Sequence, residues 1–245
     1  MMILALDTST RWMAASLWAD AGVLHECTVL LDRRMLARTP GLIASMLAGA
    51  EVSPADLTAC AAGLGPGSYT GLRIGLGMLQ GIAASRRIPL LGVASSLAMA
   101  AAVDARPLVY VLQESGRRTG HVAFSAYDTT VFPPRERISP RMASPEELNG
   151  LWAGEGIIIG DAAVRILEVC DGLTGTLVAQ PEANIPRAAI IARIAWHRLE
   201  SGEPGNPQDV EGIYLTVPPF PRASTSSPSR VHGSPSGQPP PVSGA

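Results

Sequence analysis

Gly63-Leu64-Gly65-Pro66-Gly67-Ser68-Tyr69-Thr70-Gly71-Leu72-Arg73-Ile74-Gly75 joins two stretches of different hydrophobic period. Before it, Leu57 to Gly63 is a short run of apolar and small residues, as in a buried strand. After it, Thr70 to about Arg87 places apolar residues at helical spacing. A strand, a tight glycine loop and a helix make one unit of an α/β protein. The N–H groups that open such a helix can take an anion, so Gly65, Gly67 and Ser68 are candidate phosphate-binding positions. No Gly-Lys-Ser/Thr follows, so this is not a Walker loop. The same residues also have a purely structural use: Gly65 and Gly67 would make the turn, and a hydroxyl of Ser68 or Thr70 would cap the helix.

The helix carries apolar or small residues on almost every side. Gly71, Gly75, Met78 and Ile82 form one stripe, Leu72, Leu76, Leu79 and Ala83 the next, and Ile74, Gly77, Gly81 and Ser85 a third. Only Arg73 and Gln80 interrupt it in the middle turns, which predicts burial nearly all round. A helix lying on a sheet covers about half its circumference against its own lobe. Each helical glycine costs about 1 kcal/mol relative to Ala, so something compensates. Either other helices of the chain cover the remainder or a second polypeptide does.

Outward from this unit the pattern continues. Met2 to Leu6 reads as a strand running into the turn Asp7-Thr8-Ser9-Thr10, with Trp12 to Leu17 and Val23 to Leu31 as antiparallel neighbours. Arg33 to Ala48 reads as a helix that either kinks at Pro40 or restarts there with Thr39 as cap. Ser53 to Asp56 is a turn, Ile88 to Val93 a strand and Ser95 to Val103 a helix. Pro107 to Leu112, Val122 to Tyr127, Ile157 to Ile159 before Gly160-Asp161, and a last helix from Ala188 to Leu199 repeat the theme. We expect two lobes, residues 1–105 and a smaller 106–220, and a disordered Ser/Pro/Gly tail over 221–245.

Composition excludes several functions. The chain of 245 residues is 47% hydrophobic, 4% aromatic and 16% charged, with net charge −2. Charged residues are scarcer than the roughly 25% of an average soluble domain. The sequence pI near 6.1 is not that of a protein with a broad phosphate-binding face. Every basic residue is Arg; without Lys there is no Schiff-base or Walker-type lysine chemistry. Cys27, Cys60 and Cys170 are odd in number and widely spaced, which fits buried thiols rather than a disulfide framework or zinc site. His25, His121, His197 and His232 stand alone, and no nucleophile–base pair or Gly-x-Ser-x-Gly elbow is present, so no metal ligand or catalytic residue is assigned. Met1 to Asp7 reaches a carboxylate too soon for a signal peptide, and no run approaches the ~20 apolar residues of a membrane span. We expect a cytoplasmic protein.

Three segments in order resemble the TsaB (YeaZ) family: Ile3-Leu4-Ala5-Leu6-Asp7-Thr8-Ser9-Thr10; the long glycine stretch, followed by Gly81-Ile82-Ala83 and Ile88-Pro89-Leu90-Leu91-Gly92-Val93; and Ile159-Gly160-Asp161-Ala162-Ala163. The resemblance implies the actin/Hsp70/sugar-kinase fold, two similar lobes with mixed sheets flanked by helices around a cleft. It implies a place in tRNA threonylcarbamoyladenosine synthesis, as a non-catalytic scaffold or activator beside a catalytic paralogue, TsaD, and an ATPase, TsaE, with tRNA contacted only indirectly and no cofactor of its own. It implies docking on the paralogue, or homodimerisation, through the helices around 34–48 and 70–86, with Leu42, Met46, Gly71, Ile74, Gly75, Met78 and Ile82 on the partner face. In kinases of this fold a turn like Asp7-Thr8-Ser9 holds phosphate while the Asp helps hold a metal, so a nucleotide-dependent phosphotransferase or ATPase is one alternative, and a homodimeric regulatory relative is the other. The turn's other use is to satisfy its own backbone. The endopeptidase activity once ascribed to the family has no support in these residues.

The chain departs from the family pattern in several places. Arg34-Met35-Leu36 stands where a His-Ser-Glu is usual, Gln80 where a Lys is expected, Glu114-Ser115-Gly116-Arg117 in place of Asp-Ala-Arg, and Ile213-Tyr214-Leu215-Thr216 in place of Tyr-Leu-Arg.

Overall fold

A computed structural model of the chain describes residues 1–20, 22–31, 33–114, 120–151, 156–170, 177–178 and 184–215. The expected tail over 221–245, together with Ser115, Gly116, Arg117 and Thr216, lies outside them.

The most apolar run of the N-terminus, Met2–Asp7 (β1), is the central strand of a five-stranded sheet. Trp12–Ala19 (β2) and Gly22–Leu30 (β3) pair antiparallel on one side of it, and Ala59–Gly63 (β4) and Leu90–Val93 (β5) pair parallel on the other, in the order β3-β2-β1-β4-β5. Val109–Gln113 (β6), Val122–Asp128 (β7), Arg135–Ala143 (β8), Ile157–Ile159 (β9) and Leu177–Val178 (β10) form a second sheet, in the order β10-β9-β6-β7-β8. Its pairings repeat the first: β6 takes the place of β1, with two antiparallel strands on one side and two parallel on the other. The expected α/β architecture of two similar lobes with mixed sheets is what the chain adopts.

Among the described residues six α-helices flank the sheets: Arg33–Gly49 (α1), Tyr69–Arg86 (α2), Ser95–Ala100 (α3), Pro145–Asn149 (α4), Ala163–Leu167 (α5) and Ala188–Glu200 (α6). α1 runs through Pro40 as one helix, resolving the choice between kink and restart. A second finding concerns α6. It follows the second sheet in sequence yet packs on β1, β2 and β4 of the first. Its buried residues Ile191, Ala192, Ile194 and Ala195 share one apolar core with Ile3, Ala5, Ala61 and Val93 of the first sheet and with Val109, Val111 and Ile159 of the second. Removing this surface from water, at about 25 cal/mol per Å2, is what joins the lobes. Glu26 on β3 anchors the helix start: its carboxylate takes Arg187 at 2.6 Å and accepts from the Ala189 N–H at 3.0 Å.

Sequence patterning missed β8, which reads Arg135-Glu136-Arg137-Ile138-Ser139-Pro140-Arg141-Met142-Ala143. Proline and charge argue against a central strand, but β8 lies at a sheet edge, where a missing N–H is tolerated and charge discourages pairing with another chain. At its start Asp128 accepts from the Thr130 hydroxyl (2.5 Å), the Thr130 N–H (3.0 Å) and Arg137 (2.7 Å). These bonds, the hydroxyl foremost, hold its pKa down to about 2. A lowered carboxylate stabilises the fold above its unfolded pKa of ~3.9, and that contribution is lost as pH falls through the folded value. Between pH ~4 and ~2 the wild type therefore loses stability more steeply than Asp128→Asn. Thermal melts across that window with equal slopes for both chains would remove the assignment.

Candidate functional site

The apolar strand β1 delivers Asp7 to the interior, where it is fully buried. Its Oδ1 accepts from the Ser9 N–H (2.7 Å) and the Ser9 hydroxyl (2.6 Å), and its Oδ2 accepts from the Ser95 hydroxyl at the start of α3 (2.5 Å). Ser95 Oγ in turn accepts from the Gly65 N–H at 2.9 Å. Gly63, ending β4, presses on the same carboxylate: a Cβ there would lie 2.0 Å from Asp7 Oδ2. Burial raises the Asp7 pKa against the opposing effect of the Ser9 and Ser95 hydrogen bonds. Both oxygens are engaged by hydrogen bonds inside the chain.

The glycine loop closes over the turn. The Ser68 N–H donates to Ser9 O at 2.6 Å, and a Cβ on Gly67 would lie 2.0 Å from that oxygen. Thr8 Oγ1 donates to Gly71 O at 2.7 Å, and Ser68 Oγ accepts from the Gly71 N–H at 3.2 Å as the cap of α2. From the second lobe, Gln113 Nε2 reaches Pro66 O at 3.2 Å. The structure brings Asp7, Thr8, Ser9, Gly65, Gly67 and Ser68 together, packed against one another. The Ser9 main chain lies against the loop at Gly67 and Ser68. Ser95 and Gln113 were not predicted. Their signal was a polar side chain within otherwise apolar runs, which names no partner until the fold supplies one.

The second candidate surface is α2. Gly71, Leu72, Gly75, Leu76, Leu79 and Ala83 are buried, while Arg73, Ile74, Gly77, Gly81, Ala84 and Ser85 are exposed. The chain therefore covers one side only, in place of the burial nearly all round that the pattern predicts. Three residues expected on the partner face lie inside the chain. Met46 is 3% exposed in the core, and a Cβ on Gly71 or Gly75 would meet Thr8 O at 2.1 Å or Thr8 Oγ1 at 2.2 Å. These two glycines admit the β1 turn. Leu42, Met78 and Ile82 are half-buried and Ile74 is exposed. Gly77 and Gly81 differ from their neighbours: a Cβ on either would meet nothing within 4 Å. Beside them, between α1, the turn Pro54–Asp56 and α2, lies an open apolar cavity of about 470 Å3 lined by Ile43, Leu47, Leu57, Met78 and Ile82 among others.

Among the described residues no three His, Cys, Asp or Glu side chains are grouped to hold a metal ion, and no helix is long and apolar enough to cross a membrane.

Fold and site together define a two-lobed α/β protein whose phosphate-loop position is packed with its own residues and whose α2 presents an uncovered face. The family model described as "TsaD: tRNA N6-adenosine threonylcarbamoyltransferase" matches residues 30–169. The chain is 30% identical over 228 residues, 88% of its own length and 94% of the relative's, to the tRNA threonylcarbamoyladenosine biosynthesis protein TsaB of Escherichia coli. It is 29% identical over 229 residues to the TsaB of Haemophilus influenzae, covering 87% of this chain and 92% of that one. A solved structure from Pseudomonas aeruginosa, titled YeaZ, shares the fold with a TM-score of 0.74 at 24% identity, over 87% of this chain and 99% of that one. The chain belongs to the TsaB family, within the wider group that the TsaD family model describes.

Proposed function

We propose that the chain is a non-catalytic scaffold or activator in the formation of threonylcarbamoyladenosine on tRNA, and that it docks on a TsaD-type catalytic paralogue through α2 and the adjoining side of α1. The observation that carries this is the pair Gly77 and Gly81. Each weakens the helix by about 1 kcal/mol relative to Ala, and neither is required by any close contact among the described residues. Such glycines suit a second helix approaching closely, with Ile74 and the neighbouring cavity receiving its apolar side chains. The enclosed Asp7 supports a subunit that leaves nucleotide chemistry to its partners. With a pI near 6.1 it meets tRNA through the paralogue rather than by a basic face of its own. A TsaE-type ATPase completes the assembly, in the cytoplasm, and a homodimer through the same face is the competing state of the free chain.

Light scattering with and without the purified paralogue tests this. A complex of one copy of each is expected, with Ile74→Arg abolishing it and leaving the melting temperature of the free chain within a few degrees. Recovery of the wild-type chain only as itself, monomer or dimer, in the presence of excess paralogue would overturn the proposal.

A further inference from the structure

Gln80 is the polar residue in the middle of α2 that the docking surface leaves unexplained. Both contacts of its amide go to one distant segment: Nε2 donates to Pro207 O at 3.2 Å and to Val210 O at 3.1 Å. That segment, residues 205–214, has no regular secondary structure and crosses α2 as a strap. Its near end is held where the Leu90 N–H of β5 donates to Gly205 O (2.9 Å), and its far end where the Ile213 N–H donates to Leu64 O (2.7 Å). There the ring of Tyr214 packs on Tyr69 with centroids 5.1 Å apart, and the Arg73 guanidinium lies over the Tyr69 ring, 4.6 Å from its centroid. Strap and helix leave between them a pocket of about 190 Å3 bounded by Arg73, Leu76, Gly77, Gln80, Glu211 and Tyr214. Gly77 therefore belongs to two surfaces at once, the uncovered side of α2 and the pocket beside the strap.

We propose that Gln80 is a latch that ties residues 205–214 onto α2, and that the latched strap is the fixed wall of the partner-facing surface, so that partner choice is set by strap and helix together. The physical basis is the sparse attachment. Most of the strap is half-exposed or exposed, and Val210 is its contribution to the core, so little apolar burial holds it down. Between the two end contacts, the Gln80 amide and the packing of Val210 hold its middle. Removing the donor leaves both carbonyls without their protein partner and shifts the strap toward detached states. The role of the wall in partner choice rests on the docking function proposed above; the latch itself does not.

Gln80→Met tests it, because it keeps the side chain's length and helix preference while removing both donors, and Gln80→Lys restores donors to the same carbonyls. Hydrogen exchange should show the Ile213 amide exchanging at least tenfold faster in Gln80→Met, with the β1 amides unchanged and protection recovered in Gln80→Lys. Paralogue affinity should fall at least fivefold in Gln80→Met and recover in Gln80→Lys. An unchanged Ile213 amide would overturn the latch. A loosened strap with unchanged affinity would overturn its part in partner choice. If the wild-type chain binds no paralogue, the docking function fails instead, and the latch still stands or falls on the exchange rates.

Discussion

A chain carrying Gly77→Ala and Gly81→Ala together is expected to melt higher than the wild type and to bind the TsaD-type paralogue at least tenfold more weakly. The first half follows from helix propensity. Each Gly→Ala change in an exposed helical position gains about 0.5–1 kcal/mol, and the new methyl groups meet nothing within 4 Å in the free chain. Together they raise the melting temperature by roughly 2–8 °C for a protein of this size. The second half follows from close approach. Two methyl groups inserted where a partner backbone packs force the helices apart, and overpacking of that kind costs about 1–3 kcal/mol, of which about 1.4 kcal/mol is a tenfold loss of affinity. Thermal melts and a binding titration on the same preparation decide it. A purely structural role for these glycines cannot give opposite signs in the two measurements. Unchanged affinity would remove them from the interface.

The largest stability effect is expected two turns earlier on the same helix. Gly71→Ala places a Cβ 2.1 Å from the main-chain oxygen of Thr8, in a region where Gly71 O already accepts from Thr8 Oγ1 at 2.7 Å. The clashing atom is backbone at the end of the central strand, so the start of α2 has to move. That movement pulls on the hydrogen bond from Ser68 N–H to Ser9 O, and through Ser9 on the setting of Asp7. Overpacking at the upper end of its usual range, about 3 kcal/mol, less about 1 kcal/mol of helix propensity, leaves a net loss of about 2 kcal/mol. The melting temperature then falls by roughly 4–8 °C. Gly81→Ala is the control, the same substitution in the same helix with no atom in its way. A Gly71→Ala chain that melts at or above the wild-type temperature would show that the β1 turn and α2 are not in the close contact described.

These two glycine pairs also show where the sequence stops being informative. All of them sit on one helix and all break the same propensity rule, so the helical repeat sorts them into two stripes but does not say which stripe the chain itself buries. On the helical repeat Gly71 and Gly75 share a stripe with Met78 and Ile82, and the sequence reading places that stripe on the partner face. Thr8, more than sixty residues away, lies over its first half and takes Gly71 and Gly75 into the interior. Asp7 behaves in the same way. Its position at the end of an apolar run is visible in the sequence, but the enclosure of its carboxylate by Ser95 and Gly63 depends on α3 and β4 arriving beside it. The strap is a third case: Gln80 looked like an interruption of an apolar helix until Pro207 and Val210 were placed against it.

Periodicity, capping and turn chemistry are local, so the sequence alone determined the α/β class, the buried strand at Met2–Leu6, the glycine loop opening a helix at Ser68, and the family to which those segments bear likeness. Only the tertiary structure decided that α6 crosses back to join the two sheets, which side of α2 stays uncovered, and that the Asp7 turn is packed shut. Each of those depends on close packing between segments far apart in the chain, and hydrophobic pattern records whether a residue is to be buried but not what buries it.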